Sequence, residues 1–115
     1  MAKEYLEKLT NIIDQITTKK FNNIGLEIKH FFSGAAVYAK GNICISLTPS
    51  GFAIKLPEKL RNELMKKREV KPLRYFSKGH IKKEYVVLPK RIVNDRKLLR
   101  QLIKKSFEYV TLHKE

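Results

Sequence analysis

The sequence lacks several features on which common protein classes depend. Cys44 is the only cysteine among 115 residues, which excludes an internal disulfide and suits a reducing compartment. No run approaches the ~18 apolar residues of a membrane span, and the N-terminus has no apolar signal-peptide core. The three histidines, His30, His80 and His113, have no metal-ligand spacing to one another or to the cysteine. We therefore expect a cytoplasmic protein that contacts no membrane and carries no metal or other cofactor.

Acidic residues are also scarce. Lysine and arginine number 25 against 11 acids, a formal charge of +14, and residues 58–115 hold 18 of the bases but only 7 of the acids. Such an excess attracts nucleic acid, an acidic protein or an anionic membrane on charge alone. Because 19 of the bases are lysines, which contact phosphate as point charges, the composition favours backbone attraction over base reading.

Motifs for catalysis are missing as well. The chain has no dinucleotide fingerprint, phosphate-binding loop, nucleophile elbow or His-Glu-x-x-His segment. Ser33 is interpreted as a turn residue, because no base lies near it in sequence. Cys44 alternates with Ile43 and Ile45 and is interpreted as a half-buried filler rather than a reactive thiol. A site assembled only in three dimensions stays open, but the sequence favours a protein that is not an enzyme.

Hydrophobic periodicity predicts the order of the elements. In chain order we predict a helix in 3–17, strands in 26–32, 35–39, 43–47 and 52–56, a helix from Pro57, strands in 73–76 and 85–88, and a last helix capped by Asn94. The short turns between the first four strands allow only antiparallel neighbours. The fold class is therefore α+β: one domain over 1–115, with two layers and helices on one face of an antiparallel sheet of about six short strands.

The last predicted helix has a basic side opposite its apolar face. A charged helix face is usually a solvated one, yet basic residues of the preceding segment extend this one. Tyr75, Phe76 and Tyr85 lie among them and would offer stacking surfaces to single strands, although strand spacing favours core packing for one of the first two. The candidate nucleic-acid-binding residues are Lys66, Lys67, Arg68, Lys71, Arg74, Lys78, Lys82, Lys83, Lys97, Arg100 and Lys104.

A family resemblance covers nearly the whole chain. It is carried by KHFFSGAAVYAKGNICISL at 29–47, GFAIKLP at 51–57, PLRYF at 72–76, KEYVVLP at 83–89, and a closing helix with Ser106 and Tyr109. Together these stretches resemble the N-terminal domain of the TfoX/Sxy competence-regulator family. There a basic residue precedes a Met-Phe-Gly-Gly-like turn, and a later strand ends in Leu-Lys-Leu-Pro or similar. Phe31 replaces the usual Met and Ser33 the usual first Gly, which are changes of packing and turn detail.

The resemblance implies a small α+β domain like that of type III secretion chaperones and a link to transcriptional control of DNA uptake. It implies no catalytic residues. Longer members carry a second C-terminal domain, and this sequence ends at Glu115, so we expect a stand-alone N-terminal domain without activities that need both. Two functions stay open: docking to a transcription-associated protein through a sheet edge or outer sheet face, which would also pair two copies, or direct binding of nucleic acid.

Overall fold

The structure, a computed structural model, describes residues 2–16, 25–31, 33–73 and 82–112, with side chains given from 3 and, in the last range, from 84. The elements are α1 (Ala2–Ile16), β1 (Leu26–Phe31), β2 (Gly34–Ala39), β3 (Asn42–Thr48), β4 (Gly51–Lys55), α2 (Glu58–Met65), β5 (Lys71–Leu73), β6 (Lys82–Leu88), α3 (Lys90–Val93) and α4 (Arg96–Leu112). No described helix combines the length and the apolarity that crossing a bilayer requires.

One antiparallel sheet holds all the described strands, in the order β1-β2-β3-β4-β6-β5. The first four form the meander that their short turns predict, and β6 rather than β5 pairs with β4. The predicted two-layer α+β class is confirmed. β5 begins two residues before the predicted strand, and the rest of that prediction, 74–76, lies outside the described residues.

The core lies between the helices and one face of the sheet. On α1 the spacing of Leu9, Ile13 and Ile16 places all three on one side, where they are buried. The buried side of α4 packs beside them, and the sheet contributes alternate residues such as Phe52 and Ile54. The predicted apolar face of α4 is confirmed by the burial of Leu99, Leu102, Ile103 and Val110, and Phe107, which is 1% exposed, belongs to it as well.

A β-bulge interrupts the alternation of β3. Val37 pairs with Ile45 but Tyr38 pairs with Ile43, so Cys44 is the extra residue. Its side chain lies in the core with that of Ile45, and both are fully buried. The interpretation of Cys44 as a half-buried residue on the opposite face from Ile45 is therefore wrong, because the bulge breaks the period of two.

The helix starts also differ from expectation by one residue. Pro57 is the N-cap of α2 rather than its first residue. Before α4 the chain forms an additional short helix, α3, and Asn94 is its C-cap. The cap of α4 is Asp95, whose Oδ1 accepts the amide of Leu98 at 3.2 Å. Aspartate and asparagine both make good caps, so composition alone does not choose between neighbours.

Replacing Asp95 by alanine should cost about 1 kcal/mol of the free energy of unfolding, because an amide at the start of α4 loses its acceptor. Asn94→Ala is the matched control and should change stability by less than about 0.5 kcal/mol. Urea denaturation of the two variants measures both values. Equal losses would show that Asp95 is not the cap that matters.

Candidate binding surface

The outer side of α4 carries exposed cations, and its inner side packs in the hydrophobic core. Lys97, Arg100 and Lys104 follow one another at spacings of three and four residues, which places them on the same side of the helix. All three are exposed, whereas Leu99 and Ile103 on the opposite side are fully buried. We call Lys97, Arg100 and Lys104 the α4 cationic face. At 1.5 Å of rise per residue it spans about 10 Å.

The α4 cationic face is not neutralised by the described part of the chain. Among the described residues no carboxylate lies within 4.0 Å of any of its three charged groups. The nearest acid on the helix, Glu108, is 4.0 Å from the Nζ of Lys105 instead. Three adjacent cations without a partner attract an anionic surface, and the attraction weakens as salt is added.

A second group of predicted cations lies in the turn after α2. Lys66, Lys67 and Arg68 are exposed there. The carbonyl of Arg68 accepts a hydrogen bond from Arg91, and the Nε of Arg91 is 3.7 Å from Glu69. This turn is therefore fixed to α3 and includes an acid of its own, which makes it a more balanced surface than the α4 cationic face.

Lys71 lies on a different side of the molecule. It pairs with Val87, which pairs with Ala53 on β4. Directly paired residues of an antiparallel sheet share a face, and Ala53 points away from the helices because its neighbours Phe52 and Ile54 point toward them. The sheet therefore separates Lys71 from the α4 cationic face.

The side chains of the other four predicted cations lie outside the described part of the structure. Arg74 and Lys78 are not described, nor are the side chains of Lys82 and Lys83. The same holds for Tyr75 and Phe76, the two predicted stacking residues on the undescribed segment. The third such residue, Tyr85, lies opposite Lys55 across β4 and β6, and the ammonium of Lys55 is 5.6 Å from its ring centre.

A cleft of 740 Å³ opens between α1, the turn joining β3 to β4, and the junction of α3 with α4. Apolar and polar side chains line it in similar measure, and three of the polar ones are cations. It is lined by Tyr5, Lys8, Ile12, Gln15, Ile16, Leu47, Thr48, Gly51, Phe52, Leu88, Lys90, Val93, Asn94 and Arg96. Sequence reasoning missed this cleft, since its walls come from distant elements and no periodicity connects them.

A polar contact joins α4 to the sheet near the C-terminal end of the helix. The hydroxyl of Tyr109 donates to Oε1 of Glu84 on β6 at 2.8 Å. This hydrogen bond to the carboxylate raises the pKa of Tyr109 above its ordinary value. The contact therefore links the C-terminal part of α4 to β6.

Cys44 is held in the core by two backbone contacts. Its Sγ donates to the carbonyl oxygen of Val37 at 3.3 Å, and its own carbonyl accepts from the Oγ of Ser106 at 3.3 Å. Burial raises the pKa of the Cys44 thiol from 9.0 to about 12. A nucleophilic thiol needs the opposite shift and access to solvent, so Cys44 is a packing residue.

The buried thiol makes stability depend on alkaline pH. Between pH 9 and pH 12 the folded thiol keeps its proton while the unfolded thiol loses it. The free energy of unfolding should therefore fall as pH rises through this window, by up to about 1.4 kcal/mol per pH unit from this group. Denaturant unfolding at several pH values should show a shallower decline for Cys44→Ala. Parallel curves would contradict the assignment.

The described residues contain no group of three His, Cys, Asp or Glu side chains that could hold a metal ion. His30 lies exposed on β1, and Ser33 lies exposed in the turn before β2. Neither side chain has a hydrogen-bonded partner among the described residues of the kind that activates a nucleophile or a base.

One protein-family model matches the part of the chain that contains the sheet and most of α4. The family model described as TfoX N-terminal domain matches residues 20–109 of the 115-residue chain. No curated protein matches the sequence significantly. The matched region includes every described strand and the α4 cationic face, whereas α1, which forms one wall of the cleft, precedes it. The chain thus belongs to the TfoX N-terminal domain family, a family of regulatory domains associated with competence.

Proposed function

We propose that this domain acts in competence-related regulation by docking, through the α4 cationic face, onto an acidic surface of a transcription-associated protein. The single observation that carries the proposal is the row Lys97, Arg100 and Lys104, exposed and without a carboxylate partner among the described residues. Complementary charge across an interface raises the association rate and selects the partner. The family supplies the regulatory context.

The form of the helix pair favours a protein partner over a DNA groove. In a helix-turn-helix the first helix crosses the phosphate backbone while the second enters the major groove. Here α3, of four residues, is a single turn and too short for the first role. Two of the three cations of the α4 cationic face are lysines, which seldom read base edges in bidentate fashion.

The β1 edge of the sheet is a weaker candidate for docking. Among the described strands β1 has one neighbour, β2, so its other side is an edge. Its exposed side chains include Glu27 and Lys29, paired with each other at 3.4 Å. Charged residues on an edge strand oppose pairing with a further strand. The α4 cationic face is therefore preferred, and the pairing of two copies through β1 stays a prediction.

Direct binding of nucleic acid is the second candidate, because an unpartnered row of cations also suits phosphates. If the three side chains of the α4 cationic face each neutralised one phosphate of duplex DNA, the logarithm of the binding constant would fall against the logarithm of salt with a slope of about −2.7. Contacts from other basic residues would make the slope steeper. A protein partner predicts no DNA binding that survives moderate salt.

Two experiments on the same preparation separate the candidates. The domain is immobilised and exposed to nuclease-treated lysate of its own source and, separately, to purified RNA polymerase, and retained proteins are identified by mass spectrometry. Mobility shifts with labelled duplex and single-stranded DNA are measured at low and moderate salt. Retention of a transcription protein after nuclease treatment supports the proposal. Its absence, together with a DNA shift, transfers the function to nucleic acid binding.

A further inference from the structure

The cleft between α1 and the α3–α4 junction has the size and lining of a small-molecule site. Its volume of 740 Å³ falls within the range of roughly 300–1,000 Å³ typical of ligand pockets. At the base Ile16, Leu47, Phe52 and Leu88 are each less than 10% exposed, so the apolar surface that a ligand can reach comes mainly from the half-buried side chains of the walls, Tyr5 among them. Ile12 and Val93 continue the apolar surface toward the opening. Such a surface suits a hydrocarbon body.

The opening of the cleft is cationic. Lys8 of α1, Lys90 of α3 and Arg96 of α4 stand around it, and all three are exposed. Among the described residues that line the cleft none is acidic, and none of the three cations has a described ion pair. The carboxylates nearest in sequence are Glu7, beside Lys8, and Asp95, beside Arg96, and Asp95 accepts the Leu98 amide as the cap of α4. Among the described residues neither carboxylate forms an ion pair with the three cations.

Polar groups beside the cations give the opening hydrogen-bonding capacity. Because Asp95 caps α4, the carboxamide of Asn94 is left at the cleft wall, and the exposed side chain of Gln15 stands on the α1 side. Charge-assisted hydrogen bonds from arginine and lysine to an oxyanion are the strong ones in proteins. The arrangement therefore offers several donors around an opening above an apolar floor.

We propose that this cleft binds a small amphiphilic anion, of the class of medium-chain aliphatic carboxylates, with the hydrocarbon chain on the apolar floor and the carboxylate among Lys8, Lys90 and Arg96. The assignment goes beyond the docking function and does not depend on it, because none of these residues belongs to the α4 cationic face. Since Arg96 immediately precedes Lys97, an occupied cleft would place a bound anion beside that face.

Titration of the ¹⁵N-labelled domain with octanoate, followed by amide chemical shifts, tests the proposal. Octanol is the neutral control and octylammonium the control of opposite charge, both of similar chain length. Saturable shifts should concentrate around Ile12, Leu47, Gly51 and Val93. Octanol should bind about tenfold more weakly, because the charge-assisted contacts are lost. Octylammonium should bind more weakly still.

Arg96→Ala and Lys90→Ala should each weaken octanoate binding severalfold and leave octanol binding unchanged, whereas Lys59→Ala, exposed on α2 and outside the cleft lining, should change neither. Any of three results overturns the proposal: no saturable shifts at the cleft, octanol binding as tightly as octanoate, or unchanged octanoate affinity in both cleft variants. Octanoate binding and partner capture use different residues and different readouts, so either can fail while the other holds.

Discussion

Gly34→Ala is expected to unfold the domain or to destabilise it by at least about 3 kcal/mol, the largest effect expected at any of the described glycines. A Cβ at Gly34 would overlap the carbonyl oxygen of Leu47 and lie 2.9 Å from the Cα of Thr48. Both are backbone atoms of the neighbouring strand and cannot rotate away. The start of β2 would have to separate from β3, which would break the ladder that holds the meander together.

Two neighbouring substitutions control for general effects. Gly41→Ala places its Cβ in open space, but its φ of +82° disfavours a side chain, so a cost of about 1 kcal/mol is expected. Ser33→Ala, in the exposed turn, should change stability by less than about 0.5 kcal/mol. Urea denaturation gives all three values. A Gly34→Ala domain as stable as Gly41→Ala would show that the strands can separate there at little cost.

Reversing the charges of the α4 cationic face should abolish docking and leave the fold intact. The triple variant is Lys97→Glu, Arg100→Glu, Lys104→Glu. Because all three side chains are exposed, the far-ultraviolet circular dichroism and the urea midpoint should stay close to those of the wild type. Retention of the partner should fall at least tenfold, because three attractive contacts become repulsive ones. Capture after nuclease treatment measures the effect.

The turn after α2 provides a matched control. Lys66→Glu, Lys67→Glu, Arg68→Glu also reverses two lysines and one arginine, and each triple variant lowers the formal charge from +14 to +8. If the partner recognises the α4 cationic face, only the α4 variant loses it. If the partner responds to the overall positive field, both variants lose it equally, and docking at a defined surface is contradicted.

The sequence predicted well those features that local chemistry determines. Turns of two to four residues dictated an antiparallel meander, and the spacing of Leu9, Ile13 and Ile16 placed α1 on the core. The family was predicted from the resemblance of several sequence stretches, and the family match over residues 20–109 confirms it. The exposed positions of Lys97 and Arg100 likewise followed from helical periodicity.

Features that depend on distant contacts were not predictable. At the bulge the carbonyl of Cys44 accepts a hydrogen bond from Ser106 of α4, a partner 62 residues away in sequence. Strand periodicity does not predict whether β5 or β6 pairs with β4, because both strands can present an apolar face to the core. The separation of Lys71 from α4 follows from that choice, and the cleft requires α1, β4 and α3 to be in place together.

Cross-linking from the α4 cationic face tests most directly what covers it. Gln101 is exposed on α4 next to Arg100, so a photoreactive benzophenone side chain there would touch any partner without removing a cation. Asn62, exposed on α2, is the control position. Irradiation in cells should give, from position 101 and not from position 62, a nuclease-resistant adduct with a transcription-associated protein. Adducts of position 101 with nucleic acid alone, or equal adducts from both positions, would contradict docking through this face.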